Sequence, residues 1–278
     1  MIKNIFSQIL DRKRKAIAQL RADPSSRDFR ERALKIRENA DAHRLLRALE
    51  PDSQRPNIIA EFKRRSPSAG IIRDDLTVSE IVRSYERGGA CAISVLTDEE
   101  YFGGSIVDLC AARSSTNVPL LRKDFIIDPI QIFEAAIAKA DAVLLIVAVL
   151  DDTSLKELRS LAEDELRLDA LVEVHTSEEL NRALNAGSKI IGVNNRDLNT
   201  FRVSLKISEH LIGKAPRDRI MVSESGLRDP RSLRHLQALG FRGFLVGEAL
   251  MRAPDPERVL RNFVAAAEDR RPTGAFPS

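Results

Sequence analysis

In this 278-residue chain, ionisable or glycine-rich residues stand at or beside the ends of several apolar runs. Glu61 and Lys63 lie two apart and are followed by Ser66-Pro67-Ser68, and a second stretch reads Arg122-Lys123-Asp124-Phe125. Further along come Glu173 with His175, then Asn194-Asn195-Arg196-Asp197, Glu224-Ser225-Gly226 and Gly247-Glu248. Any one of these charges alone reads as a solvated loop residue. Taken together they do not, because Glu61, Lys63, Lys123, Glu173 and Glu224 interrupt or directly follow hydrophobic sequence, and unpaired burial is costly for each. They must pair with one another or with a ligand. The chemistry these types can do is general acid-base work by Lys and Glu. A dry pocket or a neighbouring cation pushes a lysine pKa down, whereas burial pushes a glutamate pKa up.

Other site chemistries fit less well. Glu173 and His175 have metal-ligand character, but no further Cys, His or Asp cluster has ligand spacing, so no metal is expected. His43, His175, His210 and His235 are scattered and spell no Ser/His/Asp triad. There is no GxGxxG or Walker loop, which disfavours nucleotide cofactors.

The elements that must position these residues follow from hydrophobic patterning. From Asn57 onward, short apolar runs occupy 58–62, 91–96, 118–121, 142–148, 170–174, 190–193, 220–222 and 243–246. They recur about every 20 to 33 residues, the length of one βα unit. Between them lie helical patterns at 77–88, 128–138, 153–166, 177–186 and 230–239, several opening on Ser, Thr or Asp. Run 142–150 is apolar without alternation, as in a strand covered on both faces. Eight consecutive units predict an α/β fold, a closed (β/α)8 or TIM barrel, with a doubly wound open sheet as the weaker alternative. In such a barrel the strand ends converge on one rim, whatever their separation in sequence. The glycine turns Ser225-Gly226 and Gly247-Glu248 then follow strands seven and eight, where barrels commonly bind phosphate through backbone N–H groups.

The first fifty residues precede the barrel and hold two amphipathic segments, 2–20 and 27–49. They are expected to form a helical extension (1–50) packed on the barrel (51–278) with its charges in water, one domain overall. Net charge is only +3, from 44 basic against 41 acidic residues, so general nucleic-acid affinity is not implied. Interspersed acids and few stacking aromatics weaken a nucleic-acid role for the basic extension. No run approaches the roughly 20 apolar residues of a membrane span. The first residues read as mature protein rather than a signal peptide. Cys91 and Cys110 sit in apolar runs and read as small buried hydrophobes of a reducing compartment. A cytoplasmic location without membrane or nucleic-acid partners is expected.

Eight segments carry a resemblance: IIAEFKRRSPSAG (58–70), SVLTDEEYFGGS (94–105), PLLRKDFIIDPIQIFEA (119–135), ADAVLLIVAVL (140–150), LVEVHT (171–176), IIGVNNRDLNTF (190–201), VSESG (222–226) and FLVGEALM (244–251). In this order they resemble the indole-3-glycerol-phosphate synthases, over about residues 50–265. The resemblance implies a cofactor-free lyase of tryptophan biosynthesis. Its reaction closes the pyrrole ring of 1-(2-carboxyphenylamino)-1-deoxyribulose 5-phosphate, with loss of CO2 and water. It implies Lys123 as the general acid on the ketone oxygen and Glu173 as its acid-base or electrostatic partner. Lys63 would hold the substrate carboxylate with a further part in dehydration, and Glu61 would be the base of that later step. Asn194, Arg196, Glu224 and Ser225 would orient the anthranilate ring and hydroxyls. Ser66, Gly226 and Gly247 fall on the family's phosphate site, and Glu248 adjoins it; Phe102 and Phe125 match its apolar ring wall. At Ala69 some relatives carry Lys, and at Glu248 others carry Ser. The implied partner is this small phosphorylated anthranilate-sugar adduct, taken up by a monomer or weak homodimer. Three rival readings remain: a Schiff-base aldolase using Lys123 or Lys63, a silent sugar-phosphate sensor, and nucleic-acid binding by the extension.

Overall fold

The computed structural model describes residues 5–50, 56–197 and 200–268, apart from the side chains of residues 5 and 266–268. Residues 2–4 of the first expected helix, the expected 50/51 boundary, and Leu198 and Asn199 of the 190–201 segment lie outside them.

Eight parallel strands close a barrel in sequential order: β1 Asn57–Phe62, β2 Ala92–Leu96, β3 Leu120–Lys123, β4 Ala142–Ile146, β5 Asp169–Val174, β6 Ile190–Asn194, β7 Ile220–Glu224 and β8 Gly243–Val246. β8 pairs back onto β1 through Ile58 and Phe244, which completes the closure and excludes the open sheet. Strand alternation divides the core into two layers. Ile59, Leu121, Leu144, Leu171, Ile190, Val222 and Leu245 fill the barrel interior, while Ile58, Leu120, Val143, Val172, Ile191 and Phe244 pack outward under the helices. Every strand is therefore covered on both faces, which is why run 142–150 shows no alternation.

A helix follows each strand, and several open on the expected caps. Thr77 and Glu80 form a reciprocal capping box at Val78–Arg87, and Asp128 and Asp229 each cap a helix whose first residue is Pro. Several expected boundaries differ, the seventh strand among them, which runs to Glu224 rather than ending at 222. The third strand is Leu120–Lys123 rather than 118–121, because it continues through two charged residues. The fourth stops at Ile146, where 147–149 tighten into a 3-10 turn. The helix expected over 153–166 is Asp152–Ser160, continued by one π turn at 161–165. A two-residue hairpin, Arg65–Ser66 with Gly70–Ile71, follows β1 and was not anticipated.

The extension forms α1 Ile5–Ala22, α2 Phe29–Glu38 and α3 Arg44–Leu49. Segment 27–49 is thus not one helix. It breaks at His43, which adopts a left-handed conformation (φ 50°) and places its imidazole Nδ1 3.0 Å from Asp169 Oδ1. That contact and the Leu46 N–H donated to Asp169 Oδ2 (2.9 Å) set α3 across the floor of the barrel, where Leu45 and Leu49 are fully buried. α2 runs along Pro129–Ile137, and α1 reaches the opposite rim. The extension's charges are not all in water: Arg37 is buried and donates to the carbonyls of Leu166 and Arg167, both at 2.8 Å, and Arg44 pairs with Asp141 at 3.0 Å. Arg37 thus serves carbonyls at the barrel's edge, while Asp141 is shared between Arg44 and Arg113 (2.9 Å). Cys110 is exposed rather than buried, because it lies on the outward side of Ile106–Arg113, away from buried Leu109 and Ala112; Cys91 is half-buried. No described helix is long and apolar enough to cross a membrane.

Candidate active site

The two-residue period that builds the interior layer also aims the polar residues. Side chains two apart point the same way, so interior Ile59 is followed by Glu61, Leu121 by Lys123, Leu171 by Glu173, Val222 by Glu224, and Ile190 by Gly192 and Asn194. At the strands' C-terminal ends these residues line one cavity of about 630 Å³, within the usual size of a small-molecule site. Lys63, Ser66, Phe102, Phe125, Arg196, Ser225, Gly226, Gly247 and Glu248 line the same cavity, so the residues the resemblance assigns to the site are gathered there, whereas Arg122, His175, Asn195 and Asp197 are not among its lining.

At the bottom of the cavity Lys123 Nζ sits 3.0 Å from Glu173 Oε2 and 3.1 Å from Glu224 Oε2. Asn194 Nδ2 donates to the other Glu173 oxygen at 3.1 Å. Across the cavity Lys63 Nζ donates to Glu61 Oε1 at 2.6 Å. The buried charges thus pair among themselves. Two glycines make room for them: a Cβ at position 192 would lie 2.0 Å from Glu224 Oε1, and one at 247 would lie 2.4 Å from Glu61 Oε1.

The lysine pKa expectation is reversed. Burial alone would lower Lys123, but Glu173, Glu224 and Glu61 outweigh it and raise the ammonium above its ordinary value. Burial alone would raise Glu173, but Lys123, His175 and Asn194 override it and hold its carboxyl well below the usual range. For Glu224 burial dominates, and with the neighbouring Glu173 charge it raises the carboxyl despite Lys123. The two carboxylates share one ammonium, and the further His175 and Asn194 contacts at Glu173 set their proton affinities apart.

Phe102 and Phe125 form one wall, with ring centroids 6.5 Å apart. Phe6 from α1 meets Phe125 edge-on at 6.0 Å. α1 is anchored there by Lys13, whose Nζ is 2.7 Å from Asp124 Oδ1 and 3.2 Å from Asp98 Oδ2. The sequence pattern offers only an amphipathic segment 2–20 packed on the barrel, yet Phe6 and Ile9 of that segment line the cavity. The pattern gave no sign of Lys13.

On the rim, Arg196 ties three segments together. Its backbone N–H donates to Asn194 Oδ1 (3.0 Å), while Nη1 donates to Ser68 Oγ (3.0 Å) and to the Phe201 carbonyl (3.3 Å). Ser66 Oγ accepts the Ala69 N–H at 3.2 Å within the hairpin. Ser225 and Gly226 both have left-handed backbone (φ 64° and 84°), which turns the chain sharply over the cavity. Glu248 directs its carboxylate to Arg252 Nε (3.0 Å). Asn195, beside the chosen Asn194, points outward and latches the top of β7 through Ser223 Oγ and the Glu224 carbonyl. Among the described residues no group of three His, Cys, Asp or Glu could hold a metal ion.

The family model for indole-3-glycerol phosphate synthase matches residues 6–263. The chain belongs to the indole-3-glycerol phosphate synthase family. The synthase of Bacteroides thetaiotaomicron is 44% identical over 267 residues, covering 96% of this chain and 100% of that one. That of a Polaromonas species is 44% identical over 257 residues, covering 90% of this chain and 96% of its own. Indole-3-glycerol phosphate synthases are lyases of tryptophan biosynthesis, so the family places the chain among enzymes. The match includes most of α1, which delivers Phe6 to the cavity. A more distant structure, a thiamine phosphate pyrophosphorylase from Pyrococcus furiosus, aligns with a TM-score of 0.58 at 18% identity, over 76% of this chain and 95% of that one. It shares the barrel fold.

Proposed function

We propose that this protein converts 1-(2-carboxyphenylamino)-1-deoxyribulose 5-phosphate to indole-3-glycerol phosphate, CO2 and water by Lys/Glu acid-base catalysis at this cavity. The observation that carries the mechanism is the ammonium of Lys123 held between Glu173 and Glu224 at the bottom of a cavity with an aromatic wall. A raised pKa keeps Lys123 protonated in the free enzyme, as a general acid requires. As the carboxylate-bearing ring carbon attacks the ketone carbon, Lys123 gives its proton to the ketone oxygen, a far stronger base once it develops alkoxide character. Loss of CO2 returns the bonding pair to the ring. The new hydroxyl then leaves as water, with Lys63 and Glu61, 2.6 Å apart, supplying acid and base. Phe102, Phe125 and Phe6 flank the aromatic ring, and water exclusion there strengthens each charge interaction. Asn194 and Arg196 orient the ring and hydroxyls together with Glu224 and Ser225. The phosphate lies toward Ser66, Gly226 and Gly247, with Glu248 contributing its backbone.

The same raised pKa argues against Lys123 as the nucleophile of a Schiff-base aldolase, which must be neutral to attack. The test is incubation of purified protein with the carboxyphenylamino substrate. Indole fluorescence and CO2 release are expected. Binding without turnover would refute catalysis, and a borohydride-trapped covalent adduct would favour the aldolase.

A further inference from the structure

His175 is outside the cavity lining, yet it stands directly behind the carboxylate that holds Lys123. It continues the interior series of β5, two residues beyond Glu173, and its side chain is only 11% exposed. Its Nδ1 lies 3.3 Å from Glu179 Oε2, and the same oxygen accepts the His175 backbone N–H at 2.7 Å, which fixes the ring. Its Nε2 faces Glu173 Oε1 at 3.5 Å; this nitrogen is sealed from solvent and makes no hydrogen bond, so the tie to Glu173 is a charge contact. Glu179, His175, Glu173 and Lys123 therefore form a line of alternating charge ending at the reacting ammonium.

We propose that His175 is a positioning residue for Glu173, its Nε2 edge facing Oε1 while Lys123 holds Oε2. The proposal rests on the ring-closing reading above. When Lys123 gives its proton to substrate, Glu173 and Glu224 lose their shared counter-charge, and a buried carboxylate without one is strongly disfavoured. His175 remains beside Glu173 at that moment. It keeps the carboxylate ionised, aimed at Nζ and ready for the returning proton. The groups facing the imidazole are suited to this: Glu173 on its own strand, Glu179 from Ser177–Asn185, Glu224 from β7, and Lys206 and His210 across an outer cleft. Burial lowers the imidazole pKa, but Glu179, Glu173 and Glu224 outweigh it, so the ring is more basic than an ordinary histidine.

Two measurements test this. The first needs no substrate: NMR titration of the His175 ring, assigned with His175→Gln, in wild type and in Glu173→Gln. The ring pKa should fall by roughly one unit in Glu173→Gln, a tenfold loss of proton affinity; an unchanged value overturns the proposal. The second is kinetic. His175→Phe should lower kcat about tenfold with KM within about twofold, and should move the acid limb of the kcat profile to higher pH, because Glu173 loses a cation. His175→Gln, which keeps an N–H donor, should recover most of kcat. Unchanged kcat and pH profile in His175→Phe overturns the proposal. So does a loss that tracks the melting temperature, raises KM equally and is not rescued by Gln. If His175→Phe fails to fold, the titration and the Gln variant decide. Wild-type protein without turnover would refute the ring-closing reading alone and leave the titration result standing.

Discussion

Gly192→Ala is the smallest change that should reach the reacting ammonium without touching it. The added methyl would lie 2.0 Å from Glu224 Oε1, about 1.4 Å short of ordinary van der Waals contact. Leu171 Cδ1 is 3.2 Å away on another side, so the methyl cannot retreat and the carboxylate must swing. Glu224 Oε2 now sits 3.1 Å from Lys123 Nζ, and a displacement of this size breaks that pair. A misplacement of about 1 Å in such a constellation costs on the order of 10²-fold in rate. For stability, losing a charged hydrogen bond costs about 1.5–3 kcal/mol, and replacing a strand glycine by alanine returns about 0.5–1 kcal/mol. The expected net loss is about 1–2 kcal/mol. Steady-state kinetics by indole fluorescence and urea unfolding at constant m-value measure the two effects. If the damage passes through Glu224, adding Gly192→Ala to Glu224→Ala should cost no further activity. Wild-type kcat in Gly192→Ala, or full additivity in the double variant, would refute the reasoning.

Lys123→Ala should lower kcat by about 10²–10⁴-fold while substrate still binds, because it removes a proton donor needed chiefly in the transition state; equal loss in binding, measured by titration with a non-turned-over analogue, would contradict the assignment. Lys13→Met should destabilise the fold by about 2 kcal/mol in urea unfolding, since Asp124 then retains only Arg122 and Thr97 as side-chain partners. Asp124 itself predicts a pH dependence. Burial would raise its pKa, but Lys13 and Arg122 outweigh it and depress the folded value below the unfolded one. Its stabilisation is therefore complete above about pH 4 and is lost as the pH falls through the lower folded value. Asp124→Asn should flatten the acid limb of the stability curve, and an unchanged limb would place the charge linkage elsewhere.

Much of the barrel was legible because each strand is buried on both faces and so appears as an apolar run. Legibility failed where a buried strand position carries a charge. Arg122 reads as the end of a strand, yet it is buried between β3 and its helix, where it donates to Thr97 Oγ1 (3.1 Å) and the Gln131 carbonyl (2.7 Å). Hydropathy cannot announce partners nine and twenty-five residues away. The same limit hid the break at His43, which Asp169 imposes across the fold. The residues of the candidate site line one cavity because those two beyond an interior apolar position must face the same mouth. The direction of the Lys123 shift was not readable, because it depends on how many carboxylates converge from β1, β5 and β7. His175 was noticed in the sequence as a metal ligand in search of a cluster; its tie to Glu173 only emerges once Glu179 is seen to fix the ring.

The extension's grip on both ends of the barrel has a consequence for biosynthesis. Arg37, His43 and Leu46 bond to acceptors at 166–169, which lie 123 to 130 residues later in the chain. At roughly 5–20 residues per second the ribosome delivers those acceptors about 6 to 26 seconds afterwards. Throughout that interval Leu45 and Leu49 have no barrel floor to cover, and nascent chains are open to chaperone capture there. The partners of Phe6 and Lys13 at residues 98–125 emerge before those of α3 at 169, so the mouth end of the extension can dock before its floor end.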